Sequence, residues 1–202
     1  MPTLTMAQAV WPRPHPAPRA AAYAHDVTLA LAFSILTAAC AQVAIPLPLV
    51  PITMQTFAVL LTGALLGPKV GALAMTLYLL EGLAGLPVFT QGRSAWSPSN
   101  LPLVPTILGP TAGYLWSYPL AAGLVGLLAS RGWDRRVPTM LCAMLLGSGV
   151  IYAGGTLWLA HFLGLHRAVM AGVAPFILGD CVKALAAAAL LPAGWKALGR
   201  RG

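Results

Sequence analysis

The sequence predicts an all-α integral membrane protein, a bundle of six transmembrane helices with an outward-facing ligand pocket, and three observations carry that prediction. Only 8% of the 202 residues are charged while 58% are hydrophobic, and the mean hydropathy is +0.80. Soluble domains carry about 25% charged residues, so this deficit argues for many bilayer spans rather than one large core. The apolar residues fall into six runs set off by proline, glycine and basic residues. The last run contains an acid and a base three residues apart, Asp180 and Lys183.

Residues 1–26 hold Pro2, Pro12, Pro14, Pro16 and Pro18 among Arg13, His15, Arg19 and His25. Five prolines oppose a stable helix, and no secretory-type run of about 7 to 15 apolar residues precedes Val27, so this stretch reads as a disordered cytoplasmic tail. Two histidines are too sparse for a metal-binding tract.

The membrane domain is expected over residues 27–195, and its first span covers 27–45, about one bilayer thickness. Ala30, Ser34 and Ala38 recur at every fourth position, a stripe of small side chains that lets another helix approach closely. Spacing alone leaves open whether that helix lies in the same bundle or in a partner. Pro46, Pro48 and Pro51 then remove backbone donors and favour extended geometry, which makes a stiff turn at the membrane surface.

The second span, 52–66, carries Thr53, Gln55, Thr56 and Thr62, and Gly67-Pro68-Lys69 folds it into the third, 71–86, as a tight helical hairpin. Glu81 near the end of the third span reads equally as a snorkelling interface charge or a site residue. Residues 88–108 are the longest polar stretch between spans, with Gln91, Arg93, Trp96 and Asn100 among Pro98, Pro102 and Pro105. A passive connection of that length is unusual, so a lid or pocket wall is expected.

The fourth span, 109–130, opens with Tyr114, Trp116 and Tyr118, which suit an interfacial belt, packing or a pocket wall. A charged link at 131–136 leads to the fifth span, 138–163, and Leu165-His166-Arg167 connects to the sixth, 172–191, before a basic tail at 196–202. Cys40, Cys142 and Cys181 sit in apolar runs without paired spacing, as free thiols do.

The net charge of +8 would suggest nucleic acid in a soluble protein, but here the basic residues lie between spans and report topology, so no nucleic acid is expected. With the amino terminus inside, nine basic residues fall on the cytoplasmic side: Arg13, Arg19, Lys69, Arg131, Arg135, Arg136, Lys196, Arg200 and Arg201. Two, Arg93 and Arg167, fall outside. Both termini are therefore expected in the cytoplasm, with 88–108 outside.

Asp180 and Lys183 then lie about 12 to 17 Å below the outer end of the last span, on one helical face. Ionisable groups in hydrocarbon are costly and mark functional sites by default, although the pair also reads as an internal ion pair that cancels its own charge. As a site, Lys183 with Arg93 above it offers an anion partner, and Asp180 offers an acceptor for ligand N–H groups.

Several motifs then carry a resemblance: Val50-Pro51-Ile52-Thr53-Met54-Gln55-Thr56-Phe57, Gly67-Pro68-Lys69-Val70-Gly71, Gly85-Leu86-Pro87-Val88-Phe89, Gly109-Pro110-Thr111-Ala112-Gly113-Tyr114 and Pro175-Phe176-Ile177-Leu178-Gly179-Asp180-Cys181-Val182-Lys183. In this order they resemble the BioY family, the biotin-binding S components of energy-coupling factor transporters, over nearly all of residues 27–191.

The resemblance implies a six-helix protein of the bacterial cytoplasmic membrane that captures biotin from the outer side, without a cofactor. By the same resemblance Asp180 and Lys183 are the ligand-binding acid and base, and the Ala30, Ser34, Ala38 stripe faces the transmembrane coupling subunit. Ala112 stands where the family pattern has a second glycine, and the 91–108 loop is longer and richer in Pro and Trp. Gln91 and Asn100 are both candidates for an amide contact to ligand, with Gln55 and Tyr114 as further pocket candidates.

No Gly-x-x-x-x-Gly-Lys-Ser/Thr loop occurs, so ATP hydrolysis must come from partners, in this family two ATPase subunits and the coupling protein. No span carries a nucleophile with a base or a metal cluster, so an enzyme is not expected. A proton- or ion-coupled carrier or channel using Asp180 and Lys183 is the alternative reading.

Overall fold

In the computed structural model, residues 5–12, 18–101 and 103–199 are described. The expectations attached to Arg13, His15, Pro102, Arg200 and Arg201 fall outside them. The chain is mostly helical: α1 (Met6–Val10), α2 (Arg19–Gln42), α3 (Gln55–Leu83), α4 (Ala112–Ala129), α5 (Val137–Leu163), α6 (Leu165–Gly172) and α7 (Ile177–Ala197). Two short strands, β1 (Ala44–Ile45) and β2 (Ile52–Thr53), pair antiparallel across the proline turn. Helices α2, α3, α4, α5 and α7 are each long and apolar enough to cross a membrane.

α3 consists of two helical arms that meet at a break at Gly67. Gly67 adopts φ 81° and ψ −179°, a conformation open to glycine, and Pro68 follows as the first residue of a new helical arm. A Cβ added at Gly71 would lie 2.9 Å from Gly63 Cα. Along a straight helix those residues would be about 12 Å apart. The two arms therefore fold back on each other, as the Gly67-Pro68-Lys69 sequence predicts. α4 presses on the turn so closely that a Cβ at Gly126 would overlap the Gly67 backbone.

The amino-terminal stretch corrects the sequence reading. Thr5 and Gln8 form a reciprocal capping box that starts α1, and α2 begins at Arg19, inside the region expected to lack a helix. The prolines all precede the first turn of α2, and Pro18 takes its N-cap, where a missing N–H removes no helical bond. α6 forms in what the sequence suggested was a simple link, while α7 starts five residues later and ends six residues beyond the expected span.

The two ends of the bundle differ. At one end Met6 packs against Gly194, and Asp134 accepts a 2.6 Å hydrogen bond from the Trp195 indole. Thr5 lies beside Gly67 there. The opposite end gathers the β1–β2 turn, the 88–108 loop and the start of α4 around a cleft.

Candidate ligand-binding site

α7 brings Asp180 and Lys183 to the floor of this cleft as a pair 2.7 Å apart, with side chains 9% and 13% exposed. Neighbouring helices hold the pair. Tyr152 of α5 donates to Asp180 Oδ2 at 2.6 Å, and Thr56 of α3 donates to Oδ1 at 3.1 Å. Lys183 Nζ donates to Oδ1, to the Thr53 carbonyl at 2.7 Å and to Thr56 Oγ1 at 3.2 Å. An ammonium has three protons, so Lys183 is fully engaged, whereas a carboxylate accepts about four hydrogen bonds and Asp180 receives three.

The rim is built from the polar loop. Arg93 Nη1 donates to Asn100 Oδ1 at 2.9 Å, and Asn100 Nδ2 reaches across to the Leu49 carbonyl at 3.0 Å. That chain of two bonds ties the loop to the proline turn on the far side of the mouth. Among the described residues the rest of the Arg93 fork has no partner.

Gln55 is buried beside the floor and acts as a joint. Its amide donates to Tyr78 Oη at 2.6 Å, while its carbonyl accepts from Thr53 at 3.1 Å and Thr90 at 3.0 Å. Tyr78 in turn donates to the Val88 carbonyl at 3.0 Å, fastening the start of the loop to α3.

All seven residues predicted for ligand contact, Gln55, Gln91, Arg93, Asn100, Tyr114, Asp180 and Lys183, line this one cleft. Together with its open mouth it spans about 910 Å³. Tyr114 contributes its ring, since its hydroxyl is bonded to the Gly172 carbonyl at 2.8 Å. Gln91 sits at the exposed rim in a left-handed conformation, φ 62°.

Three polar contributors escaped the sequence reading. Tyr152 resembles any aromatic in an apolar span, and the carbonyl of Thr53 leaves no mark in sequence. Thr56 had a signal, a hydroxyl one residue after Gln55 in the most polar of the apolar runs.

The Ala30, Ser34, Ala38 stripe is corrected by the structure. Ala30 and Ser34 are fully buried inside the chain, and Ala38 is half-buried against the core. Ser34 donates to Glu81 Oε1 at 2.7 Å, so the stripe closes α2 onto α3 and solvates a carboxylate that lipid would leave bare. The faces of α2 left outside carry Leu31, Ile35 and Leu36 instead.

A family model described as "BioY family" matches residues 12–200. A probable biotin transporter BioY from Pyrococcus horikoshii is 40% identical over 152 residues, covering 75% of this chain and 85% of the relative. The biotin transporter BioY of Thermotoga maritima is 36% identical over 149 residues, covering 73% and 82%. In fold, the chain matches the crystal structure of the S-component for biotin from an ECF-type ABC transporter with a TM-score of 0.73 at 24% identity, over 89% of this chain and 95% of that one. With five apolar helices, these matches make the chain a multi-pass membrane protein. Matched along almost its whole length by one family model, and at 40% identity by a relative it covers to 85%, the chain belongs to the BioY family.

Proposed function

We propose that this chain is the biotin-binding component of an energy-coupling factor transporter in the bacterial cytoplasmic membrane, working with a transmembrane coupling subunit and two ATPase subunits. Its role is transport, as in its relatives, rather than enzymatic. On this reading the two arms of α3 are separate crossings, giving six in all. Both termini then lie in the cytoplasm and the cleft opens outward. Among the described basic residues, Arg19, Lys69, Arg131, Arg135, Arg136 and Lys196 belong to the Met6 end and Arg93 and Arg167 to the cleft end, which agrees with the positive-inside rule.

The observation that carries the ligand assignment is the 2.7 Å Asp180–Lys183 pair on the cleft floor with Arg93 at the rim. A urea edge presents N–H donors, and the open acceptor position of Asp180, held beside the Lys183 ammonium, is their complement. The two ends of biotin are separated by a bicyclic body and an alkyl tail, so both cannot meet groups 2.7 Å apart in an extended pose. The ureido end therefore takes the open acceptor of Asp180, beside Lys183, and the tail carboxylate takes the uncommitted Arg93 fork. This divides the cations differently from the sequence reading, which gave the carboxylate to Lys183.

A carrier or channel is disfavoured, because Lys183 is internally saturated and its charge repels a cation approaching Asp180. Uptake of labelled biotin by biotin-starved cells tests the function. Cells expressing the chain with its partner subunits should accumulate label, and Asp180→Asn should abolish most of it. Equal accumulation with and without the chain would defeat the proposal.

A further inference from the structure

Behind the ion pair lies a second, much smaller pocket, about as open as the cleft. Its polar wall is made by Thr56, Asp180, Lys183 and Ser148, and its apolar floor includes Leu60 and Met144. Ser148 stands one helical turn before Tyr152 on α5, so the same helix face reaches the pair from both sides. Ser148 is 7% exposed, its oxygen touches the open space of the pocket, and among the described residues its hydroxyl makes no hydrogen bond. A hydroxyl in that position is expected to find a partner.

The cavity gives a water's centre about 10 Å³, close to the lower limit for holding one water. It is far too small for a biotin-sized ligand. A monovalent cation of similar size would face the Lys183 ammonium directly, whereas a neutral molecule meets no such repulsion. Thr56 has one acceptor site left after donating to Asp180 and accepting from Lys183.

We propose that this cavity binds a single ordered water, accepting from the Ser148 hydroxyl and donating to Thr56 Oγ1. The water supports the cleft from behind. It fixes the Thr56 hydroxyl in the orientation that donates to Asp180, and it leaves the open acceptor position of Asp180 for a ligand. Ser148 is thereby a positioning residue for the site, and this consequence, unlike the water itself, rests on the biotin reading.

A crystal structure of the ligand-free wild-type protein, at a resolution where ordered waters are seen, tests the water independently of biotin. A density peak at hydrogen-bonding distance from both Ser148 and Thr56 is expected. Ser148→Val, whose methyl groups occupy the cavity, should lose it. Clear side chains with no peak would overturn the proposal, as would a peak coordinated like a cation or biotin binding that requires sodium or potassium. For the positioning role, Ser148→Val should weaken biotin about fivefold, the worth of one hydrogen bond. Ser148→Ala leaves room for the water and should lose less. Unchanged affinity in Ser148→Val would remove the positioning role, and should that variant fail to fold, the wild-type density still decides the water.

Discussion

In the proposed site, Tyr152, Thr56 and Thr53 hold Asp180 and Lys183 in place. Removing Lys183 does more than delete a cation: it leaves Asp180 uncompensated and the Thr53 carbonyl without its donor. Breaking such a buried pair costs about 3 to 5 kcal/mol of stability, more than a ligand hydrogen bond is worth, so loss of binding in Lys183→Ala alone says little about the tail of biotin. Biotin amidated at its carboxylate separates the roles. Amidation should weaken binding to the wild type and to Lys183→Ala alike, and should cost little in Arg93→Ala, where the carboxylate's partner is gone. The reverse pattern would return the carboxylate to Lys183. At this scale the sequence was legible where two charges three residues apart in an apolar run declared themselves. Tyr152 was not legible, because nothing in a span distinguishes an aromatic that donates to a carboxylate from one that only packs.

Among the elements, the α3 hairpin shows why local sequence was enough in one place and not in another. Gly67 and Pro68 encode the reversal by themselves, through a positive φ that glycine tolerates and a proline that starts the next arm. Gly67→Ala should therefore lower stability by about 1 to 3 kcal/mol, the cost of forcing a side chain into that region. The new methyl would also meet Thr5 Cγ2 at 2.8 Å. A melting temperature equal to wild type in a thermal shift assay would contradict this account of the turn. The small-residue stripe was legible as a close helix contact, but its partner was not. Choosing α3 over another protein depends on the Ser34–Glu81 bond across 47 residues, which spacing within α2 cannot reveal. The helical amino terminus was misread because prolines were counted over a whole segment, while what matters is whether any falls inside a helix after its first turn.

On the scale of the whole molecule, the class followed from composition, since so few charged residues leave a chain of this length no soluble option. The proposed orientation rests on where the basic residues stand along the chain, most of them in links at the end opposite Arg93. A cysteine at position 93, in a background lacking Cys40, Cys142 and Cys181, should react with an impermeant thiol reagent on whole cells, and one at position 135 should not. The opposite labelling would invert the topology.

The central claim is that this chain alone, without ATP, a voltage or an ion gradient, binds biotin in the cleft floored by Asp180 and Lys183. Calorimetric titration of the detergent-purified protein with biotin tests it most directly. Saturable binding of one biotin per chain, strongly weakened in Asp180→Asn, is the predicted result. A folded wild-type protein that shows no saturable binding, or an Asp180→Asn variant that binds as tightly as wild type, would contradict it.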